Sequence, residues 1–128
     1  MKPYGVAQRT PAQLARTVQA HRLSPAETFL LLCKAHGVPT PATEVRFHGE
    51  RMWRFDYAWV GLKVAVEQDG GIWNKGRHSR GAGILRDNEK LNTAQLMGWI
   101  CGRFTPAQMA SGEAVEWVKR AMEYRSER

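Results

Sequence analysis

The stretch Arg51-Met52-Trp53-Arg54-Phe55-Asp56-Tyr57-Ala58-Trp59-Val60-Gly61-Leu62-Lys63-Val64-Ala65-Val66-Glu67-Gln68-Asp69-Gly70-Gly71 decides how this chain folds. Its first half alternates, with Trp53, Phe55, Tyr57 and Trp59 on one parity, which predicts a strand with a single aromatic face. Gly61 interrupts the run, and Leu62 to Glu67 reads as a second strand, so the two are expected to pair as a hairpin. Two carboxylates sit awkwardly in that hairpin: Asp56 interrupts the aromatic strand and Glu67 ends an aliphatic one. A two-residue turn at Val60-Gly61 sets them diagonally on one face, and pairing shifted by two residues sets them directly opposite. A shift of one residue sends them to opposite faces. Either of the first two registers holds the carboxylates about 5–8 Å apart. At that separation, with little apolar cover, they repel unless a cation lies between them, and a hard divalent ion such as Mg²⁺ suits oxygen donors of this kind. The plainer alternative has both acids ending their strands in water. Gln68-Asp69-Gly70-Gly71 weighs against it, adding a third acid and two residues without side chains that let a phosphodiester backbone come close. Trp73, Lys75, Arg77, His78 and Arg80 follow, and basic residues interleaved with an indole suit phosphate contacts and stacking on an unpaired base.

Working outward, residues 69–83 hold five glycines and read as a long loop with His78 in it. A helix from about Ile84 to Met97 is expected, with Ile84, Leu91, Ala94 and Met97 on one side. Trp99 to Phe104 reads as a strand. A helical turn after Pro106 and an amphipathic helix from about Gly112 to Tyr124 close the domain. On the other side, Val45 to His48 reads as a short edge strand. Three helix starts repeat one signature, Thr10-Pro11-Ala12-Gln13, Ser24-Pro25-Ala26-Glu27 and Thr105-Pro106-Ala107-Gln108. Each places a hydroxyl at the N-cap, Pro at the first helical position and Glu or Gln at the third, the pattern of a capping box. These predict helices over about 11–20 and 25–36, the second stopped by Gly37, after a loosely held arm before Thr10. The expectation is one domain over 1–128: an N-terminal arm and helix over 1–22, and an α/β core over 24–124 with a mixed central sheet flanked by helices.

Composition narrows the function classes. The chain has 128 residues, 43% of them hydrophobic, and 19 Lys+Arg against 12 Asp+Glu give a net charge of +7. That supports one modest core and a polyanionic partner, most simply nucleic acid. The longest apolar run, Phe29 to Cys33, is far short of the roughly 20 residues of a membrane helix. Cys33 and Cys101 form no CxxC pair, and no leader-like start opens the chain, so a reducing bacterial or phage-infected cytoplasm is the expected compartment. Nucleotide cradling is unsupported: Gly81-Ala82-Gly83 meets Arg86 where a dinucleotide fingerprint needs Gly, and no phosphate-binding P-loop motif occurs. The histidines fall into no zinc spacing, and His21, His36 and His48 read as non-catalytic.

Taken in order, Ser24-Pro25-Ala26-Glu27, Arg54-Phe55-Asp56, Ala65-Val66-Glu67-Gln68-Asp69-Gly70-Gly71, Gly76-Arg77-His78, Asp87-x-Glu89-Lys90, Gly98-Trp99 and Arg103 resemble the small PD-(D/E)XK endonucleases. Within them the pattern is most similar to the phage and prophage branch related to very-short-patch repair endonuclease, over roughly residues 24 to 120. The resemblance implies a restriction-endonuclease-like core and Mg²⁺-dependent hydrolysis of DNA, with Mn²⁺ as a substitute. It implies Asp56, Glu67, the Gln68 carbonyl and Glu27 as metal ligands; Glu27 reads equally as the acid of its capping box. Asp69 stands where the family carries its hallmark lysine, and could join the metal shell. Lys90 on the following helix and His78 are the two candidates to replace that lysine, while Lys90 also reads as solvated surface and Asp87 as an acid favouring a helix N-terminus. Trp73, Lys75, Arg77 and Arg80 are the expected DNA contacts. The expected activity is an endodeoxyribonuclease, selective for branched, nicked or mismatched DNA in phage recombination, acting alone or as a homodimer. The alternative is a catalytically silent nucleic-acid-binding module on the same fold.

Overall fold

The computed structural model describes residues 10–14, 22–69 and 77–127, with residues 77–80 as backbone only. After a helical segment at 11–14, the elements are α1 (Pro25–Ala35), β1 (Ala42–Arg46), β2 (Arg54–Trp59), a 3₁₀ turn (Val60–Leu62), β3 (Val64–Gln68), α2 (Arg77–Leu96), β4 (Ile100–Phe104), α3 (Pro106–Ser111) and α4 (Glu113–Ser126). The sheet runs in the order β1-β2-β3-β4, with the first three strands antiparallel and β4 parallel to β3. Parallel neighbours need a long crossover, and α2 provides it. The chain is therefore a mixed α/β fold, a four-stranded mixed sheet with flanking helices.

The capping boxes form as their letters require. Ser24 Oγ accepts from Glu27 N–H at 3.0 Å while the Glu27 carboxylate accepts from Ser24 N–H at 2.9 Å. Thr10 with Gln13, and Thr105 with Gln108, make the same reciprocal pair. Gly37 ends α1 at φ 73°, a conformation glycine reaches without a Cβ penalty.

Each face of the sheet carries its own core. On one, Phe29, Leu32 and Cys33 of α1 and Met109, Val115 and Val118 of α3 and α4 pack on Tyr57, Trp59, Val64 and Val66. On the other, Ala94 of α2 packs with Phe55, Ala58, Ala65 and Trp99. Phe47 stacks on Phe55 at a centroid distance of 4.0 Å. Arg125 of α4 ties the far end of the sheet, donating from Nε to the Leu62 carbonyl at 2.7 Å and from Nη2 to the Gly98 carbonyl.

Three expectations are corrected. The segment read as a loop through residue 83 is helical from Arg77, so His78 lies in α2 and not in a loop. Gly81 and Gly83 read as breakers in the sequence, yet an interior glycine costs a helix only about 1 kcal/mol, which tertiary anchoring of α2 outweighs. That anchoring comes from Ala94, fully buried in the second core, and from Lys90, bonded to the buried Glu67; the exposed pair of Arg51 with Glu89 adds little. Second, the hairpin turn is longer than two residues: the 3₁₀ turn is followed by Lys63 in the left-handed region at φ 54°, and Trp59 pairs with Val64. Third, the aromatic strand has no single face. Tyr57 and Trp59 enter the first core, while Phe55 enters the second. The alternation breaks at Asp56, and the residue across from it in β1, Glu44, has φ 51°. The expected edge strand itself lies at Ala42–Arg46, a few residues before its predicted place.

Candidate functional site

The register Tyr57↔Val66, Ala58↔Ala65, Trp59↔Val64, carried one pair further, sets Asp56 opposite Glu67. This is the directly opposed alternative of the sequence reading. Because the strand kinks at Asp56, its carboxylate turns towards the neighbouring strand β3, and Oδ2 accepts the Gln68 N–H at 2.8 Å. A side chain thus takes the hydrogen bond that regular strand pairing gives to a carbonyl. The other Asp56 oxygen has no protein partner among the described residues. Local breaks of this kind concentrate next to functional sites, where they re-aim a side chain.

Glu67 is 3% exposed, on the α2 side of the sheet, and a buried carboxylate needs a charge partner. It has two. Lys90 Nζ lies 2.7 Å from both Glu67 oxygens and donates to the Arg54 carbonyl at 2.5 Å, so all its donors are engaged. Arg103 is the residue paired with Glu67 in the parallel β3–β4 register, so the two side chains stand side by side on one face. Its Nη2 donates to Glu67 Oε1 at 3.2 Å, and its Nη1 donates to Asp87 Oδ2 at 3.1 Å. Asp87 and Lys90 are three residues apart on α2 and share the helix face that meets the sheet. Burial opposes the Arg103 charge, but the hydrogen bonds and charges of Asp87 and Glu67 outweigh it and hold the guanidinium above its usual range. Its Nε is buried without a partner among the described residues. Beside them, burial and the Glu67 charge push the Cys101 thiol up to about 11, with Lys90 acting the other way.

The predicted residues divide accordingly. Asp56, Glu67, Gln68 and Lys90 come together, and the surface reading of Lys90 is corrected: its side chain is 13% exposed and bonded to Glu67, because the 77–96 helix lies across the sheet and not away from it. Asp69 follows β3 directly, its N–H donating to the Phe104 carbonyl at 2.7 Å. Glu27 is committed to its capping box, which lowers its pKa through the Ser24 backbone and side-chain hydrogen bonds, and no described hydrogen bond or ion pair joins it to Glu67. Trp73 and Lys75 lie outside the described residues, as do the side chains of Arg77, His78 and Arg80. Arg103 enters the sequence reading only through the resemblance, and the reading of Asp87 as an acid at a helix N-terminus is corrected: the helix starts at Arg77, which puts Asp87 in its middle, bonded to Arg103. The signal that could have found them is Arg103 in the strand Ile100–Phe104, on the parity of the half-buried Cys101, where a lone cation demands an acidic neighbour.

Among the described residues, no group of three or more His, Cys, Asp or Glu side chains gathers as a metal cluster. No helix among them is long and apolar enough to cross a membrane. No family model matches this chain, and no solved structure matches it. Over 66 residues, half of its length, the chain is 35% identical to uncharacterized proteins of two Mycobacterium tuberculosis strains, CDC 1551 / Oshkosh and ATCC 25618 / H37Rv. It spans only 23% of the length of these relatives.

Proposed function

We propose that this chain is a metal-dependent DNA endonuclease of the PD-(D/E)XK type with a restriction-endonuclease-like core, its catalytic lysine supplied by helix α2. The observation that carries this reading is Lys90 Nζ at 2.7 Å from both oxygens of Glu67, in place of the lysine missing at position 69. The donor set suits Mg²⁺ or Mn²⁺: all hard oxygens, one of them on Asp56 without a protein partner among the described residues, and Glu67 Oε2, which keeps a lone pair beyond the one Lys90 uses, while Oε1 accepts from both Lys90 and Arg103. Asp56, Glu67 and the Gln68 carbonyl would hold the ion. When bound, it would lower the pKa of a coordinated water and offset charge on the scissile phosphate. Lys90 holds positive charge beside the reacting phosphate from the helix side; the donor that would orient the attacking water is the one it would give up on Glu67 where the ion takes that oxygen. Arg103 keeps Glu67 in place from the strand side. The net charge of +7 favours approach of a polyanion, with Lys75, Arg77 and Arg80 as backbone contacts.

One observation favours a second reading, a silent DNA-binding module: both Glu67 oxygens are already occupied by protein cations. Plasmid nicking separates the two. Mg²⁺-dependent conversion of supercoiled to nicked DNA, absent in Asp56→Ala, is the expected result. DNA retention in a gel shift without any nicking in Mg²⁺ or Mn²⁺ would overturn the nuclease reading and leave the module. The same assay on linear, nicked, mismatched and four-way DNA defines the substrate geometry.

A further inference from the structure

Glu67 is held by two cations of different character. Lys90 meets it directly and is anchored to the Arg54 carbonyl. Arg103 divides a rigid fork between two acids, one terminal nitrogen on Glu67 and the other on Asp87. A guanidinium shared in this way has a fixed plane, because its two terminal nitrogens are pinned on opposite carboxylates. The arrangement is unfavourable as a pure stability device, since it leaves Arg103 Nε buried and without a partner among the described residues. We propose that Asp87 and Arg103 form a brace that positions the Glu67 carboxylate and so sets its affinity for a divalent cation. The inference rests on the metal-site reading above. Asp87 acts through Arg103: it draws half of the fork away from Glu67, so that Oε2 accepts from Lys90 alone and keeps a lone pair for the ion. Without Asp87, the guanidinium turns both nitrogens onto Glu67 and competes with the ion for the same oxygens. Both are positioning residues.

The test is Mn²⁺ binding to the full chain without DNA, read by electron paramagnetic resonance, alongside the metal-free melting temperature and plasmid nicking. Asp87→Asn should bind Mn²⁺ about 10–100-fold more weakly, the range seen when outer partners of metal ligands are removed. Its melting temperature should stay near that of the wild type, since the Asp87 side chain is 44% exposed. Asp87→Glu should restore binding, and Arg103→Lys, which keeps the charge but loses the fork, should weaken it like Asp87→Asn. Glu89→Gln removes the same charge two residues away, from a side chain bonded to Arg51, and should bind Mn²⁺ like the wild type. Wild-type binding in Asp87→Asn, or equal weakening in Glu89→Gln, overturns the brace while leaving the metal site intact. A wild type that binds no Mn²⁺ overturns the brace and the metal site together. The expected binding pattern in a protein that nicks nothing upholds the brace and removes the nuclease reading alone.

Discussion

The two faces of the sheet are built to different rules. Under α1, α3 and α4, the buried side chains are Phe29, Leu32, Tyr57, Trp59, Val64, Val66, Met109, Val115 and Val118, with the hydroxyl of Thr28 satisfied by the Ser24 carbonyl. Under α2, an aromatic layer of Phe47, Phe55 and Trp99 gives way towards the ends of β3 and β4 to Glu67, Lys90, Arg103 and Asp87. Burying the first set is favourable outright. Burying the second requires desolvating charges, which is at best weakly stabilising. One face holds the fold, and the other spends part of that stability on a charged cluster.

The largest expected effect separates the faces by activity. If α2 supplies the catalytic cation, Lys90→Ala should lower single-turnover cleavage by about 10²–10⁴-fold. Val118→Ala, buried on the other face, should leave the rate per folded molecule unchanged. Equal rates for Lys90→Ala and the wild type would remove the lysine from the mechanism.

Next comes the stability contrast. Phe29→Ala empties a fully buried aromatic site and should cost about 3–5 kcal/mol in denaturant unfolding. On the charged face, Lys90→Ala alone should destabilise, whereas Glu67→Leu with Lys90→Met should come close to neutral, as buried ion pairs replaced by apolar residues do. A double variant as unstable as Lys90→Ala would show that the ion pair itself stabilises the fold.

Gly102 tests how tightly the apolar face is packed. A Cβ built there would lie 2.7 Å from Phe104 and 2.8 Å from Trp117, so Gly102→Ala should cost about 1–3 kcal/mol by overpacking. A melting temperature equal to that of the wild type would mean that the two rings shift at no cost.

The finest contrast lies in the cysteines, one under each face. Burial alone pushes the Cys33 thiol up to about 12, and burial with the Glu67 charge pushes Cys101 up to about 11. Both values are raised above the unfolded state. Their contribution to stability is therefore complete below about pH 8.5, the ordinary thiol value, and is lost as pH rises towards 11 and 12. Lys90→Met should raise Cys101 further and leave Cys33 unmoved, read by thiolate absorbance across an alkaline titration. Movement of both would mean that the faces are electrically coupled through the sheet.

The helix starts were legible letter by letter because a capping box is local: a hydroxyl, a proline and an acid or amide within four residues satisfy each other whatever surrounds them. The strands were legible from alternation, except at Asp56. There the pattern of Trp53, Phe55, Tyr57 and Trp59 promised one face, and the kink opposite Glu44 delivers two. The glycines at 81 and 83 mislead in the other direction, since a breaker signal is a local cost that the burial of Ala94 in the second core and the bonds of Lys90 to Glu67 override from distant strands.

For the candidate site, the sequence by itself determined which groups were present: Asp56 and Glu67 in one hairpin, an acid where a lysine was expected, and Lys90 on the following helix. Local chemistry and a period of two suffice for that. Only the tertiary structure decided what neutralises Glu67. The hairpin register sets Asp56 opposite it, the parallel β3–β4 register brings Arg103 alongside, and the crossover helix lowers Lys90 and Asp87 onto the pair. Position in the sequence hints at a cation in β4 and another on α2 but does not pair them with Glu67, because a buried charge selects its counter-charge through space, across strands and a helix that are distant in sequence.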